Sequence, residues 1–194
     1  YIKRRKTSEQ QNQEDRERYQ TCYASVPGAI AAPTAGLHFT SEVLEALRER
    51  GTRVFELTLH VGLGTFSAVE DSDLRKHRMH SEHFQISEEV LNDLLEMKSE
   101  GKPIIAVGTT VVRVLESLAL ENYQRHSGWT DIFIYPPYEF RLVDGMLTNF
   151  HLPNSTLMML VSAFCGRNNL LRAYQEAVQE RYRFFSYGDC MLIL

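Results

Sequence analysis

Pro103-Ile104-Ile105-Ala106-Val107-Gly108-Thr109-Thr110-Val111-Val112-Arg113-Val114-Leu115-Glu116-Ser117 is the stretch on which the fold turns. Pro103 to Val107 is short and apolar, which suits a compact buried strand. Gly108 breaks it. Val111, Val114, Leu115 and Leu118 then recur at helical spacing. A helix begins with four backbone N–H groups that lack an intrahelical partner, and with a partial positive charge. Behind a buried strand, such a start is a ready place for a carboxylate or a phosphate. An ordinary capped helix with a glycine turn is the plainer reading of the same residues.

The rest of the chain repeats this alternation. Ser41–Arg50 reads as a helix closed by Gly51, and Arg53–Val61 as a strand broken by Gly62 and Gly64. Residues 67–81 are polar and predict a loop. Glu82–Ile86 reads as a short strand, and Ser87 as the cap of a helix with Glu88 and Glu89 in its first turn. Further strands are expected at Asp131–Tyr135, Phe140–Val143, Met146–Phe150 and Cys190–Leu194, with Asp144-Gly145 as a hairpin turn. Helices are expected over 155–164 and from Asn168 or Asn169 onward. The fold class is therefore α/β, a mixed β-sheet flanked by helices. Residues 1–18, rich in Gln, Glu and Arg, read as a linker or lead-in, and 19–194 as the α/β domain.

Composition narrows the function. The 194 residues are 43% hydrophobic and 24% charged, ordinary for a folded domain. No apolar run approaches the ~20 residues of a membrane span. Three cysteines, Cys22, Cys165 and Cys190, form no CxxC pair, which argues against a disulfide framework or a structural zinc site and fits a cytoplasmic protein. The net charge of −4 argues against polyanion binding by the whole surface, so any such contact is local. Lys3, Arg4, Arg5 and Lys6, with Arg16 and Arg18, are the candidates, and a solvated tail is the alternative. The start on Tyr1 and the apolar end suggest a chain cut at both ends.

Polar groups gather where strands end. Gly62-Leu63-Gly64-Thr65-Phe66 lacks the third glycine and the helix of a dinucleotide fingerprint, but suits a backbone that approaches a ligand closely. His77, His80 and His83 recur at threes beside Glu82; a loop giving His80 and Glu82 to a site is favoured over a metal centre, and no metal is expected. Thr34, Gly36 and His38 lie in a small-residue turn before a helix. Asn149 and His151 follow a strand, and Tyr187 and Asp189 precede one. In open α/β sheets, ligands bind beyond the carboxyl ends of strands. No nucleophile elbow and no phosphate-binding GxxxxGK[ST] loop is present.

YQTCYASVPGAIAAPTAGLHFT (19–40), LHVGLGTF (59–66), HRMHSEHF (77–84), IIAVGTTVVRVLES (104–117), VDGMLTNFHLPNSTLMMLVSAF (143–164) and YRFFSYGDCMLI (182–193) together resemble the tRNA ribosyltransferase-isomerases of queuosine biosynthesis. The resemblance runs from about Tyr19 to Leu194. Members are longer, with an N-terminal part of the α/β domain and an inserted β-barrel domain, so this chain resembles the C-terminal part. Val111 stands where Ser is expected, Pro137 where Gly is, and Cys190 where Ala is.

The resemblance implies transfer and isomerisation of the ribosyl moiety of S-adenosylmethionine onto 7-aminomethyl-7-deazaguanine at the tRNA wobble position. The products are epoxyqueuosine, adenine and methionine. S-adenosylmethionine is then a consumed cosubstrate, no cofactor is needed, and a monomer without membrane contact is expected. The alternative is an inactive fragment that only binds S-adenosylmethionine or tRNA. That chemistry asks for proton transfer near neutral pH, for which His38, then Asp189 and His151, are the candidates. Gly108, Thr109 and Thr110 are expected to hold an anionic end, and Phe66 or Tyr187 to stack on a base. Arg113 is expected to pair with Glu116, with a phosphate contact as its other reading. The proposal requires Gly36, Gly64, Gly108 and Gly188 to meet along one rim.

Overall fold

The helix that follows Gly108 is apolar on nearly every side, and such a helix has to be buried. The computed structural model describes residues 18–29, 31–62, 74 and 77–194. There the helix is α3 (Thr109–Leu120), with nine of its twelve residues buried. Around it, in chain order, stand a 3₁₀ turn (Thr34–His38), α1 (Ser41–Glu49), β1 (Thr58–His60), β2 (Glu82–Gln85), α2 (Glu88–Ser99) and β3 (Ile105–Val107). After α3 come β4 (Ser127–Thr130), β5 (Gly145–Asn149), α4 (Thr156–Cys165), α5 (Arg167–Gln179) and β6 (Cys190–Ile193).

The strands form two three-stranded sheets. One, β1-β2-β4, is antiparallel throughout. The other, β3-β5-β6, is mixed: β3 runs parallel to β5, and β6 antiparallel to it. Helix α3 contacts strands of both, and Val112, Val114, Leu115 and Leu118 form the core with Phe84, Leu91, Ile134, Leu142, Met146 and Leu160. The expected α/β class with a mixed sheet describes this architecture. Ser87 caps where sequence places it, accepting from Val90 N–H; Thr40 accepts from Val43 N–H, and Ser155, expected inside its helix, instead caps it by accepting from Met158 N–H.

Five expectations are corrected. The strand over Arg53–Val61 shrinks to Thr58–His60, the residues paired with Gln85, Phe84 and His83 of β2; beyond them the Gly62 N–H donates to the Glu82 carboxylate instead of a strand. The strand expected at Asp131–Tyr135 is instead Ser127–Thr130; the next carbonyl group in use, that of Ile132, accepts from Arg113 Nε at 3.2 Å rather than from a strand. Phe140–Val143 forms no strand, since the N–H groups of Arg141, Leu142 and Val143 all donate to the Glu116 carboxylate at 2.9–3.0 Å. Asp144-Gly145 is not a hairpin turn. The Asp144 carboxylate accepts from Ile104 N–H at 2.9 Å and its own N–H donates to Ile104 O, which starts β5 parallel to β3. The helix expected from Asn168 or Asn169 begins at Arg167, behind Gly166. The lead-in through residue 17, with Lys3, Arg4, Arg5, Lys6 and Arg16, lies outside the described residues. No described helix is long and apolar enough to cross a membrane.

Candidate active site at the carboxyl ends of three strands

A cavity of about 300 Å³ opens beyond the carboxyl ends of β1, β3 and β5. Its walls come from five distant stretches: Ala32–Ala35, Val61, Gly108–Thr110, Thr148–Leu152 with Ser155, and Phe185-Ser186. Gly108 takes φ of +95°, a conformation that favours glycine, and has no side-chain cap. No side chain therefore caps the start of α3, which lies in the cavity wall, while the Gly108 N–H donates to Leu147 O at 2.8 Å. By contrast, Ser155 caps the start of α4 in the same wall.

The turn and the sheets are locked together at this rim. A Cβ on Gly108 would lie 3.7 Å from that of Ala35, so the 3₁₀ turn sits directly on the β3–α3 junction. A Cβ on Gly36 would reach within 2.0 Å of the Tyr23 hydroxyl, and one on Gly188 within 2.4 Å of Arg183 O. Both positions require glycine for space. Gly36, Gly108 and Gly188 therefore belong to segments that meet at one rim; Gly64 lies outside the described residues, as do Thr65 and Phe66.

Asn149, at the end of β5, joins the turn to the segment before β6. Its Nδ2 lies 3.3 Å from Phe185 O, 3.5 Å from Asp189 O and 3.1 Å from His38 Nε2. Two carbonyl oxygens can only face the amino group, which fixes the amide orientation. His38 Nε2 is then an acceptor, and the neutral ring carries its proton on Nδ1. Burial lowers the His38 pKa below the ordinary histidine value; Asp189 opposes this and Arg183 assists it. Asp189 is held below the usual carboxylate range by the Arg183 N–H and guanidinium, which donate to its carboxylate.

His151 lies in the cavity wall with Nε2 2.8 Å from Thr148 Oγ1, and its N–H donates to the Tyr174 hydroxyl at 2.7 Å. Burial takes its pKa down to about 4, so the ring is neutral near pH 7. Thr148, Ser155, Tyr174 and Arg183 were not singled out by sequence. Their side chains act on neighbours three residues away or across elements, and only Ser155 carried a signal, as a cap.

Arg113 does not pair with Glu116. Its Nη1 meets Glu82 Oε2 at 2.5 Å, and Glu82 Oε1 accepts from Gly62 N–H at 3.1 Å. The pair therefore ties α3 to the glycine segment after β1. Glu116 is instead taken up by the 141–143 backbone and the Tyr138 hydroxyl. His80 is exposed ahead of β2, and Tyr187 is exposed with its ring against Tyr19. His77 packs on Phe133 and His83 between His60 and Trp129, so the three histidines do not converge; no metal-binding group of three or more ligands occurs among the described residues. Among the departures noted in sequence, Val111 packs against the core, Pro137 follows a cis peptide bond, and Cys190 pairs with Asn149 in the sheet.

The strand ends, the uncapped helix start and the histidine–amide–carboxylate cluster frame an α/β domain with a cavity at its strand ends; Asn149 lines that cavity, whereas His38 and Asp189 stand behind it. The chain belongs to the queuosine biosynthesis protein family, whose model matches residues 1–193. It is 57% identical over 182 residues to the S-adenosylmethionine:tRNA ribosyltransferase-isomerase of Natranaerobius thermophilus, covering 93% of this chain and 53% of that protein. The enzyme of that name from Treponema denticola is 54% identical, covering 100% of this chain and 55% of its own. A crystal structure of S-adenosylmethionine tRNA ribosyltransferase from Thermotoga maritima superimposes with a TM-score of 0.68 at 46% identity, over 82% of this chain and 51% of that one. The chain spans about half the length of these relatives.

Proposed function

We propose that this chain carries the S-adenosylmethionine site of a tRNA ribosyltransferase-isomerase. The ribosyl moiety of S-adenosylmethionine is moved onto 7-aminomethyl-7-deazaguanine at the wobble position of a tRNA and isomerised. Epoxyqueuosine forms, and adenine and methionine leave. S-adenosylmethionine is consumed as cosubstrate, no cofactor takes part, and the protein acts as a cytoplasmic monomer. The observation that carries this reading is the meeting of five separate segments around one cavity that has an uncapped helix start on one side.

The polar groups divide the work. The start of α3 at Gly108, Thr109 and Thr110 takes the carboxylate of the methionine part, where the helix start favours negative charge; the Gly108 N–H itself is given to Leu147 O, so Thr109 and Thr110 supply the donors. His38 is the proton-transfer group. Because Asn149 donates to Nε2, the neutral ring offers Nδ1–H only as a hydrogen-bond donor, and it takes up a proton, to be passed on to the departing adenine, when Nε2 is released from Asn149. Asp189 stays ionised and stabilises positive charge beside His38. His151 remains neutral and orients the wall through Thr148. Thr34 and Asn149 shape the cavity, and Glu82 with Arg113 sets the Gly62 backbone.

The test is incubation with S-adenosylmethionine labelled in the ribose and tRNA bearing the deazaguanine precursor. Free adenine and label on the RNA are expected. Labelled S-adenosylmethionine held without adenine release would leave only a binding module, and no retention at all would reject the site.

A further inference from the structure

Sheet β1-β2-β4 has an inner face packed on α3 and an outer face that nothing described so far uses. Register puts six side chains on the outer face in two rows, Thr58–Gln85–Ser127 and His60–His83–Trp129. The intervening residues, Phe84, Glu82 and Thr130, are buried on the other side. In the second row the His60 and His83 rings stack at 5.9 Å with 27° between planes, and His83 meets Trp129 edge-on at 5.3 Å. Trp129 is 61% exposed, an unusual state for the largest side chain.

We propose that this row is a stacking platform for unpaired RNA bases, the loop nucleotides that flank the base under modification. The inference rests on the function proposed above. Three observations select RNA as the occupant. The six side chains include no carboxylate, in a chain where acidic residues outnumber basic ones by 25 to 21. They include no aliphatic residue either, and protein-binding faces are built on apolar cores. Of the exposed aliphatics, Ile105 and Leu192 stand in the other sheet, and none stands in this one. Flat rings beside hydroxyl and amide groups on an open antiparallel sheet are the surface on which unstacked bases are held.

The third observation is continuity with the cavity. His60 is followed by Val61, which lines the cavity, and His83 is preceded by Glu82, whose carboxylate holds the Gly62 amide. One RNA strand can thus lie over the row and present its next base at the site. Gly28 lies against the His60 ring, where an added Cβ would come within 2.7 Å of Nδ1, so His83 and Trp129 are the open part of the row.

Trp129 is the single tryptophan of the chain, so its fluorescence reports on this face alone. The probes are a hairpin RNA with an unpaired loop and a fully paired duplex of the same composition. The hairpin is expected to quench Trp129 emission saturably, and the duplex to leave it unchanged. With fluorescein-labelled hairpin, Trp129→Ala is expected to weaken binding about tenfold and His83→Ala a few-fold. Hairpin binding with unaltered emission, wild-type affinity in both variants, or no hairpin binding overturns the platform. Emission that follows protein concentration, with a dimer in sedimentation, overturns it in favour of a second copy. Labelled S-adenosylmethionine bound by the same samples separates the two proposals. Its retention without an RNA response sinks the platform alone, and an RNA response without its retention sinks the cosubstrate reading alone.

Discussion

Arg113 Nη1 lies 2.5 Å from Glu82 Oε2, and the two side chains are 2% and 0% exposed. Both charges have left water, and each offsets the other. The guanidinium also donates from Nε to Ile132 O, and the carboxylate also accepts from Gly62 N–H. The pair is therefore a joint between α3, β2 and the segment that follows β1. Arg113→Met leaves Glu82 buried without its counter-charge and is expected to lose about 3–5 kcal/mol of stability in urea unfolding. Combining Arg113→Met with Glu82→Leu is expected to lose much less than the two single changes summed. Additive losses would show that the pair is not coupled.

The contact between Asn149 and His38 gives a prediction about a proton. Asn149→Asp replaces an amino donor with an acceptor, so Nε2 has to carry hydrogen and the charged ring gains a partner. The His38 pKa, below the ordinary value in the parent chain, is expected to rise above it in the variant. A titration followed by NMR of the ring protons reads this directly. His38→Ala is expected to cut adenine release at least tenfold with an unchanged circular dichroism spectrum. Near-normal release would remove His38 from the chemistry.

Glu116 shapes a loop by being an acceptor. Its two oxygens take N–H groups from Arg141, Leu142 and Val143 and the hydroxyl of Tyr138. Glu116→Ala leaves several buried donors without partners, each worth about 1–3 kcal/mol when unsatisfied. A loss of about 3 kcal/mol or more is expected, with faster amide exchange at residues 141–143. Glu116→Gln keeps an oxygen acceptor and is expected to lose less. Unchanged exchange at those three amides in Glu116→Ala would contradict the arrangement.

That loop also shows where sequence reading stops. The helices were legible because their signals are local: Thr40, Ser87 and Ser155 cap where they stand, and the spacing of Val114, Leu115 and Leu118 buries α3. The strand at Phe140–Val143 was misread because apolar residues there pack on the core while their amides go to a carboxylate 25 residues upstream. Asp144-Gly145 has the composition of a tight turn, but Ile104 claims Asp144 first. The cavity residues Thr34, Gly108–Thr110, Asn149 and His151 were found from strand ends and small-residue turns. Sequence pairs Arg113 with Glu116 because a neighbour three positions on is visible there, whereas Glu82, 31 residues away, is not.

His151 predicts the acid limb of the stability profile. Its folded pKa is about 4 against an unfolded value near 6.5. Between these values the unfolded chain binds more protons than the folded one, so stability rises with pH across that window. Its contribution is complete above about pH 6.5, fades as pH falls, and is gone below about pH 4. The difference amounts to something on the order of 3 kcal/mol. His38 is shifted in the same direction and adds to the same limb. Asp189, whose pKa is also lowered, acts elsewhere: its stabilisation is present above the unfolded carboxyl value and fades only below about pH 4. His151→Gln retains a polar group opposite Thr148 but cannot titrate. Urea unfolding from pH 4 to pH 8 is expected to give a flatter profile for this variant than for the parent. Parallel profiles would mean that the ring titrates alike in the folded and unfolded chain, and that the wall of the cavity is wetter than its packing implies.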